Sequence, residues 1–523
     1  MAANPNQIIV NHIVGGGWAT DFGEISDVAP DANGNVTVPF LVDARNILFT
    51  LDGGIRKMPG TAKLNASALE SGAVIKGMFD YWQGAAAQHR VLHVGTKIKR
   101  DDADGTFIDL FTGLTADAVP SYTQLDDILI MASDNSGDVP RSWDGTTAQN
   151  LAGTPPNFSI CETHKNRVFA AGVPGNTSRL YYCVLLDPED WVGSGSGSID
   201  IDPEDGDEIR AIKSHRNELW VFKGPNKGSI HRITGSAPTG GDSFARLTFA
   251  RGVGAVGQNT VCSFANDVAF IWSDGSVRTL STTDQFGDYL MGALTVGINE
   301  DFLQPRLNFN RLKHASMEND AANNLLLVGL PIDTESNLNF HLAIDYRFQP
   351  VRLSPIYDLP DGGCVTSVID PTDVNRRILM LGGADGFVRK WNRSARSIDG
   401  TGAIAGVAKY PYLNYGLPFH NKTIVAASMS LRPRSSGQIA LGYQREDQAA
   451  QTDSMSAVAG AVLGAFVLDT DTLASDIATE KFLDNLNGEF RSIQFTISNT
   501  VSGEDMDVRR MRTMIQVNGI STE

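Results

Sequence analysis

The chain of 523 residues is short of cysteine, of clustered positive charge and of long apolar runs. Its 4 cysteines, Cys161, Cys183, Cys262 and Cys364, form no CxxC spacing. The usual framework of a zinc site is therefore missing, and four free, buried thiols are expected. The longest apolar stretch, residues 457–468, is far too short to span a bilayer, so no membrane insertion is expected. The opening MAANPNQ has neither a basic flank nor an apolar core, which predicts no signal peptide and synthesis in a cytoplasm. Basic runs are absent and the formal net charge is −17. Tight nucleic-acid binding needs Lys and Arg to displace counterions from phosphates, which an acidic chain without basic runs does not favour. Like charge would suit a wall along which DNA slides without sticking, but it suits any soluble acidic protein equally well and alone decides nothing.

Catalytic and metal-binding patterns are scarce as well. No GxSxG and no Walker loop occurs. Among the 9 histidines only His89 and His93 stand four apart, and His93 falls in a strand-like run, which weakens a metal reading. The acidic cluster at residues 200–208 fails the calcium-loop pattern, with Asp205 at the sixth position and Ala211 at the twelfth. A turn leading into a strand is expected there. Residues 252–257 match GxGxxG, but the next stretch, residues 258–266, is too short and too poor in helix formers to hold a pyrophosphate. Residues 273–278 are close to the Asp-boxes of sialidase-type propellers without their residue order, and Trp143–Asp144 is the one Trp-Asp pair. With 60 acids, no spacing singles out a carboxylate pair for glycoside hydrolysis. The expectation is no catalytic, cofactor-binding or metal-binding residues, no cofactor and no enzyme.

What is abundant is turn and strand. The 52 glycines are spread along a chain that is 42% hydrophobic and 20% charged, the profile of a well-packed protein with many tight turns. A strand, a Gly- or Asp-rich turn and a second strand ending in a basic residue recur. The clearest copies are ILFTLDGGIR (47–56), DVAFIWSDGSVR (267–278) and ILMLGGADGFVR (378–389). Looser copies occupy residues 91–99, 128–143, 168–181, 219–232 and 325–346, with starts 37 to 58 residues apart. Apolar, β-branched runs favour strands buried on both faces, and Asp-Gly supplies the positive φ angles of a type I′ turn. One hairpin cannot bury both its faces, so the copies must stack. The fold class expected is all-β, a β-propeller of six to eight blades with a C-terminal β-sandwich-like domain. Tandem sandwiches are the alternative.

This pattern divides the chain into three segments. Residues 1–45 read as a Gly-rich lead-in whose strand at 7–14 is expected to close the ring on the last blade. Residues 46–393 read as the propeller, and 394–406 as a small, polar linker. Residues 405–523 read as a β-sandwich or platform domain built from two hairpins, 423–432 with 438–444 and 490–498 with 508–517. Two stretches, 66–83 and 468–485, carry helical periodicity or capping acids.

Residues 47–61, ILFTLDGGIRKMPGT, resemble the start of phage tail propellers, where a strand, Gly, basic residues and Pro-Gly lead into the first blade. Residues 164–172 (HKNRVFAAG) with 176–182, then 206–212, 222–224 and 229–235, resemble the middle of the same proteins, and 252–278 extend the likeness. The family is the tail nozzle, or tail tubular protein B, with the related packaged-DNA-stabilising hubs of short-tailed phages. The resemblance spans about half the chain and implies a hexameric ring in the virion tail, below the portal and adaptor, that channels or retains the genome as weakly bound cargo, docks tail fibres or spikes and is synthesised in a host bacterial cytoplasm. It carries over no catalytic residue. The alternative reading is a carbohydrate-binding or carbohydrate-cleaving propeller of a tail tip.

Overall fold

The computed structural model describes residues 7–84, 87–101, 105–370, 373–392, 394–432, 437–446, 448–457, 479–484, 486 and 488–520. They fall into two compact units: Lys63–Ile344 with Pro360–Trp391, and Met1–Ala62 with Asp345–Leu359 and Asn392–Glu523. No helix among the described residues is long and apolar enough to cross a membrane.

The first unit is a seven-bladed β-propeller. Each blade is an antiparallel meander whose first strand lies innermost: Ile75–Gln83, Pro120–Leu125, Ile160–His164, Glu208–His215, Val261–Phe264, Ser316–Asp320 and Gly362–Asp370. Seven of the eight sequence copies are the second and third strands of blades one to seven in turn. The eighth, at 47–56, contributes Ile47–Phe49 and Ile55–Lys57 to a sheet of the other unit. Cores form between blades, where the two-sided apolar strands meet. Phe222 and Phe270 join blades four and five, and Ile75 and Leu92 pack with Val368 and Met380 where the last blade meets the first.

The turns differ from expectation. Between first and second strands, three two-residue turns, Lys165-Asn166, Arg216-Asn217 and Ala265-Asn266, have positive φ at both residues, as type I′ requires. The Asp-Gly pairs sit between second and third strands, where of each pair only Gly275 (φ 81°) and Gly386 (φ 75°) are left-handed. Their aspartates reach forward instead. Asp274 accepts the Ser276 N–H at 2.9 Å and pairs with Arg278 at 3.0 Å, and Asp385 pairs with Arg389 at 2.6 Å. Both arginines are buried, so the basic residue closing each of these copies is the partner of the turn aspartate.

Two blades are irregular. Blade five has three strands, and an insertion over 280–314 takes the place of the fourth: Leu294 N–H donates to the Val277 carbonyl at 2.7 Å. The outer strand of blade seven is Gly60–Lys63, so the ring is closed by this segment and not by the strand at 7–14. The helical periodicity over 66–83 does not give a helix. A single 3-10 turn at Leu69–Ser71 precedes the strand Ile75–Gln83, because Gly72 (φ 88°) ends the turn and bulky residues on both strand faces find neighbouring blades.

The second unit is a β-sandwich. One sheet runs Asn35–Val38, Gln7–Val14, Asp507–Ile520, His420–Leu431, Thr479–Asp484, and the other centres on Ile493–Asn499 flanked by Gly406–Lys409 and Gly437–Arg445. Neither expected hairpin forms. The strands on either side of 433–436 belong to different sheets, as do those on either side of 500–506. Alternating strands with one buried face gain more by facing each other across a core than by pairing at an edge. Residues 7–14 are therefore no free arm but an interior strand, paired with Asp507–Ile520 from Gln7↔Gln516 to His12↔Met511. Residues 394–406 are no free linker either, since Thr61 Oγ1 donates to Asp399 at 2.9 Å and Gly60 N–H to the Ala395 carbonyl at 3.0 Å. The helix expected at 468–485 lies largely outside the described residues, and its end, Thr479–Asp484, is a strand.

At the sandwich centre His12 meets Phe495 edge-on at 5.5 Å, with Tyr415 at 5.9 Å. Burial holds the imidazole pKa down at about 3. Phe495 is wholly buried. Phe495→Ala is expected to cost about 3–5 kcal/mol in urea unfolding of the full chain; a loss below about 1 kcal/mol would contradict this packing.

Candidate functional site in the axial channel

The innermost strands of a propeller have one paired edge and one bare edge, and the bare edges face the axis. Backbone groups left unpaired there would be costly, so another partner is required. Side chains from the adjacent blade supply it at six of the seven junctions. Gln124 accepts the Trp82 N–H at 3.1 Å, Ser121 the Cys161 N–H at 3.1 Å and Glu162 the Ser214 N–H at 3.1 Å. Gln258 bonds both the N–H and the carbonyl of Ile212 at 2.9 Å. Ser316 accepts the Val365 N–H at 3.0 Å, and Asp80 the Ile369 N–H at 3.0 Å. The channel wall is polar because it stitches the ring.

These side chains line a cavity of about 610 Å³. Over a strand of five residues, roughly 17 Å long, that volume averages about 7 Å across. At the end where the strands begin, Asn259 Nδ2 donates across the axis to the Pro120 carbonyl at 3.4 Å. Beyond it lies a second cavity of about 270 Å³ that shares Pro120, Ser121 and Gln258 with the first. The insertion reaches over this end: Arg311 binds Asp117 through two contacts of 2.6 and 2.7 Å, and Lys313 binds Asp134 at 2.7 Å. Lys76, nearly buried, adds a second cation on Asp117 at 2.9 Å. At the other end Trp82 and Arg377 stand at the rim, the indole held by Asp80 at 3.4 Å and the guanidinium by Ser367 at 3.1 Å.

Some polar groups in the wall are not consumed by stitching. Lys213 Nζ lies 3.5 Å from Glu162 and faces the cavity, and that carboxylate raises its pKa. Burial raises the pKa of Glu318, which accepts its neighbour Asn319 N–H at 2.9 Å. Tyr122 Oη has no hydrogen-bond partner, and burial lifts its pKa well above the usual value. Lys213 and Glu318 were invisible as site residues in the sequence, since they are separate members of ordinary strand runs that only ring closure brings to one axis.

The patterns weighed in the sequence resolve into structural roles. Around residues 200–208, the Ile201 and Asp202 carbonyls and the Asp205 carboxylate converge on one cation at 2.7–2.8 Å, and that cation is the wholly buried Lys223 ammonium. Asp207 accepts the N–H groups of Asn226, Lys227 and Gly228 at 2.7–2.9 Å. At 252–257 a Cβ on Gly254 would lie 1.8 Å from the Lys223 carbonyl, so this glycine permits a close backbone approach, and only a single 3-10 turn comes after it. His89 stacks against Tyr81 at 6.0 Å, whereas His93 is buried without a partner on either ring nitrogen. Four residues apart on a strand, they stand roughly 13 Å from each other, too far to share a metal. Among the described residues no group of three or more His, Cys, Asp or Glu could hold one.

No family model matches the chain, and no curated protein does. Solved structures similar to it include YCF48 bound to D1 peptide, with a TM-score of 0.36 and 11% identity over 64% of this chain and 97% of that one. A streptogramin B lyase scores 0.36 with 13% identity over 64% and 97%. A Saccharomyces cerevisiae Dbp5 variant bound to Nup159, a Gle1 variant, IP6 and ADP scores 0.37 with 9% identity over 72% and 99%. At these scores they carry no argument about function.

Two outcomes test these structural roles. Lys223→Met removes the cation from its oxygen cage and is expected to cost about 3–5 kcal/mol in chemical denaturation; an unchanged midpoint would contradict the cage. His93, and His314 at the end of the insertion, are both held down from 6.5 to about 4, chiefly by burial. Unfolding restores the ordinary value, so protonation favours the unfolded chain. The penalty is absent above 6.5 and grows as pH falls towards 4, by about 1.4 kcal/mol per pH unit for each imidazole. The melting temperature should fall between about pH 7 and pH 5, and His314→Asn should flatten that slope; an unchanged slope would contradict it.

Proposed function

We propose that the chain is a structural protein of a short-tailed phage tail, of the nozzle or hub kind, that works as several copies arranged around a shared passage and has no catalytic role. The observation that carries this reading is the collinear series of family-like segments. In chain order they are the strand pair at 47–57 with the ring-closing strand Gly60–Lys63, then strands of blades three, four and five.

The channel dimensions support a passage between copies. A bore averaging about 7 Å cannot admit a duplex whose major groove alone is about 12 Å wide. If this protein guides DNA, the genome runs beside the propellers. Copies meeting head to tail would close into such a ring, and the net charge of −17 would keep its wall from gripping phosphates. In the tail, the adaptor above and fibres or spikes outside would be its partners.

Electron microscopy or mass photometry of the full chain, alone and with its adaptor, tests the assembly. The expected result is a closed ring of about six copies. A strict monomer that hydrolyses glycans would reject the reading. Affinity for duplex DNA should be weak at physiological salt, and a dissociation constant below about 1 μM would contradict the sliding wall.

A further inference from the structure

The axial cavity has a chemistry that ring stitching leaves unexplained. Its volume, about 610 Å³, lies within the range of small-molecule sites. Asn259 and the insertion's ion pairs stand at one end, and Trp82 and Arg377 at the other. The pocket is therefore elongated, with an aromatic residue at one end.

The wall selects against most ligand classes. An apolar molecule would shut the remaining hydrogen-bonding capacity of the Lys213 ammonium and the Glu318 carboxyl off from water without replacing it. An anion would meet Glu162 and Glu318, and a cation would meet Lys213 and Arg377, because each sign of charge on the wall stands beside its opposite. What remains complementary is a neutral molecule whose groups both donate and accept. An ammonium offers three donors, and a contact of 3.5 Å to Glu162 engages at most one of Lys213's. Glu318 offers acceptor capacity beyond its contacts with the Asn319 N–H and Cys262 Sγ. Trp82, half-buried, lines one end of the pocket, and the negative potential of an indole face attracts the electron-poor C–H groups of a sugar ring.

We propose that the axial pocket binds a neutral saccharide unit, which stacks on Trp82 at one end and hydrogen-bonds to Lys213 and Glu318 within. The site lies inside one propeller, so the proposal stands or falls independently of how copies assemble. Free monosaccharides and terminal residues of surface glycans share this chemistry, and the test separates them.

The test is calorimetric titration of the full chain with glucose, galactose, mannose and N-acetylglucosamine, with oligosaccharides ending in each, and with spermidine and phosphate as charged controls. At least one neutral sugar should bind one site per chain with a dissociation constant of about 1 mM or tighter, and the controls should not bind. If only oligosaccharides bind, the ligand is a glycan terminus; if the monosaccharide suffices, it is the free sugar. Trp82→Ala and Lys213→Met should each weaken binding roughly tenfold, with the former leaving the melting temperature unchanged because Trp82 packs only in part. Absence of binding across the panel, tighter binding of spermidine or phosphate, or affinity untouched by both substitutions would overturn the proposal.

Discussion

Seven bare strand edges facing one axis are the constraint on which this propeller depends. No strand from elsewhere can reach them, and water alone would leave the ring centre held by nothing. The chain answers with Ser, Thr, Gln, Asp and Glu side chains that reach one blade over, such as Ser121 to Cys161 and Ser316 to Val365. The apolar faces between blades supply most of the burial, while these bonds fix the angular position of each blade against the next. A polar tunnel is therefore a structural necessity first. Function at the axis rests on the groups that stitching does not use.

The same economy of internal charge recurs away from the axis. Lys223 fills an oxygen cage that in another protein would attract a metal ion, and Asp274 and Asp385 hold the buried Arg278 and Arg389 across their turns. The 60 acids are accordingly a poor guide to chemistry, since many are committed to backbone N–H groups or to internal cations. The net charge remains available to partners, but the particular carboxylates that stand out in the sequence are engaged within the fold.

The propeller was legible because its signal is local. Seven of the eight strand-turn-strand copies fall one to a blade, and in two of the three clearest copies the closing arginine has its partner four residues back. The sandwich was legible as a composition and misread as a topology. Whether the strand at His420–Leu431 pairs with Gly437–Arg445 or crosses to face it depends on the partners available in space, here Asp507–Ile520 and Ile493–Asn499. The same long-range competition took the strand at 7–14 into the sandwich and left ring closure to Gly60–Lys63. The channel residues were least legible of all. Glu162, Lys213 and Glu318 sit far apart in three strands, and nothing in their spacing announces that they share an axis.

The central claim is that side chains from neighbouring blades seal the inner strand edges of a closed ring. Native-state hydrogen exchange of the amides at Cys161, Ile212 and Val365 tests it most directly. These amides should exchange only through global unfolding of the propeller, and Ser121→Ala should release the Cys161 amide selectively. Exchange of the inner-edge amides as fast as that of the exposed outer strand Ala245–Arg251 would contradict the account.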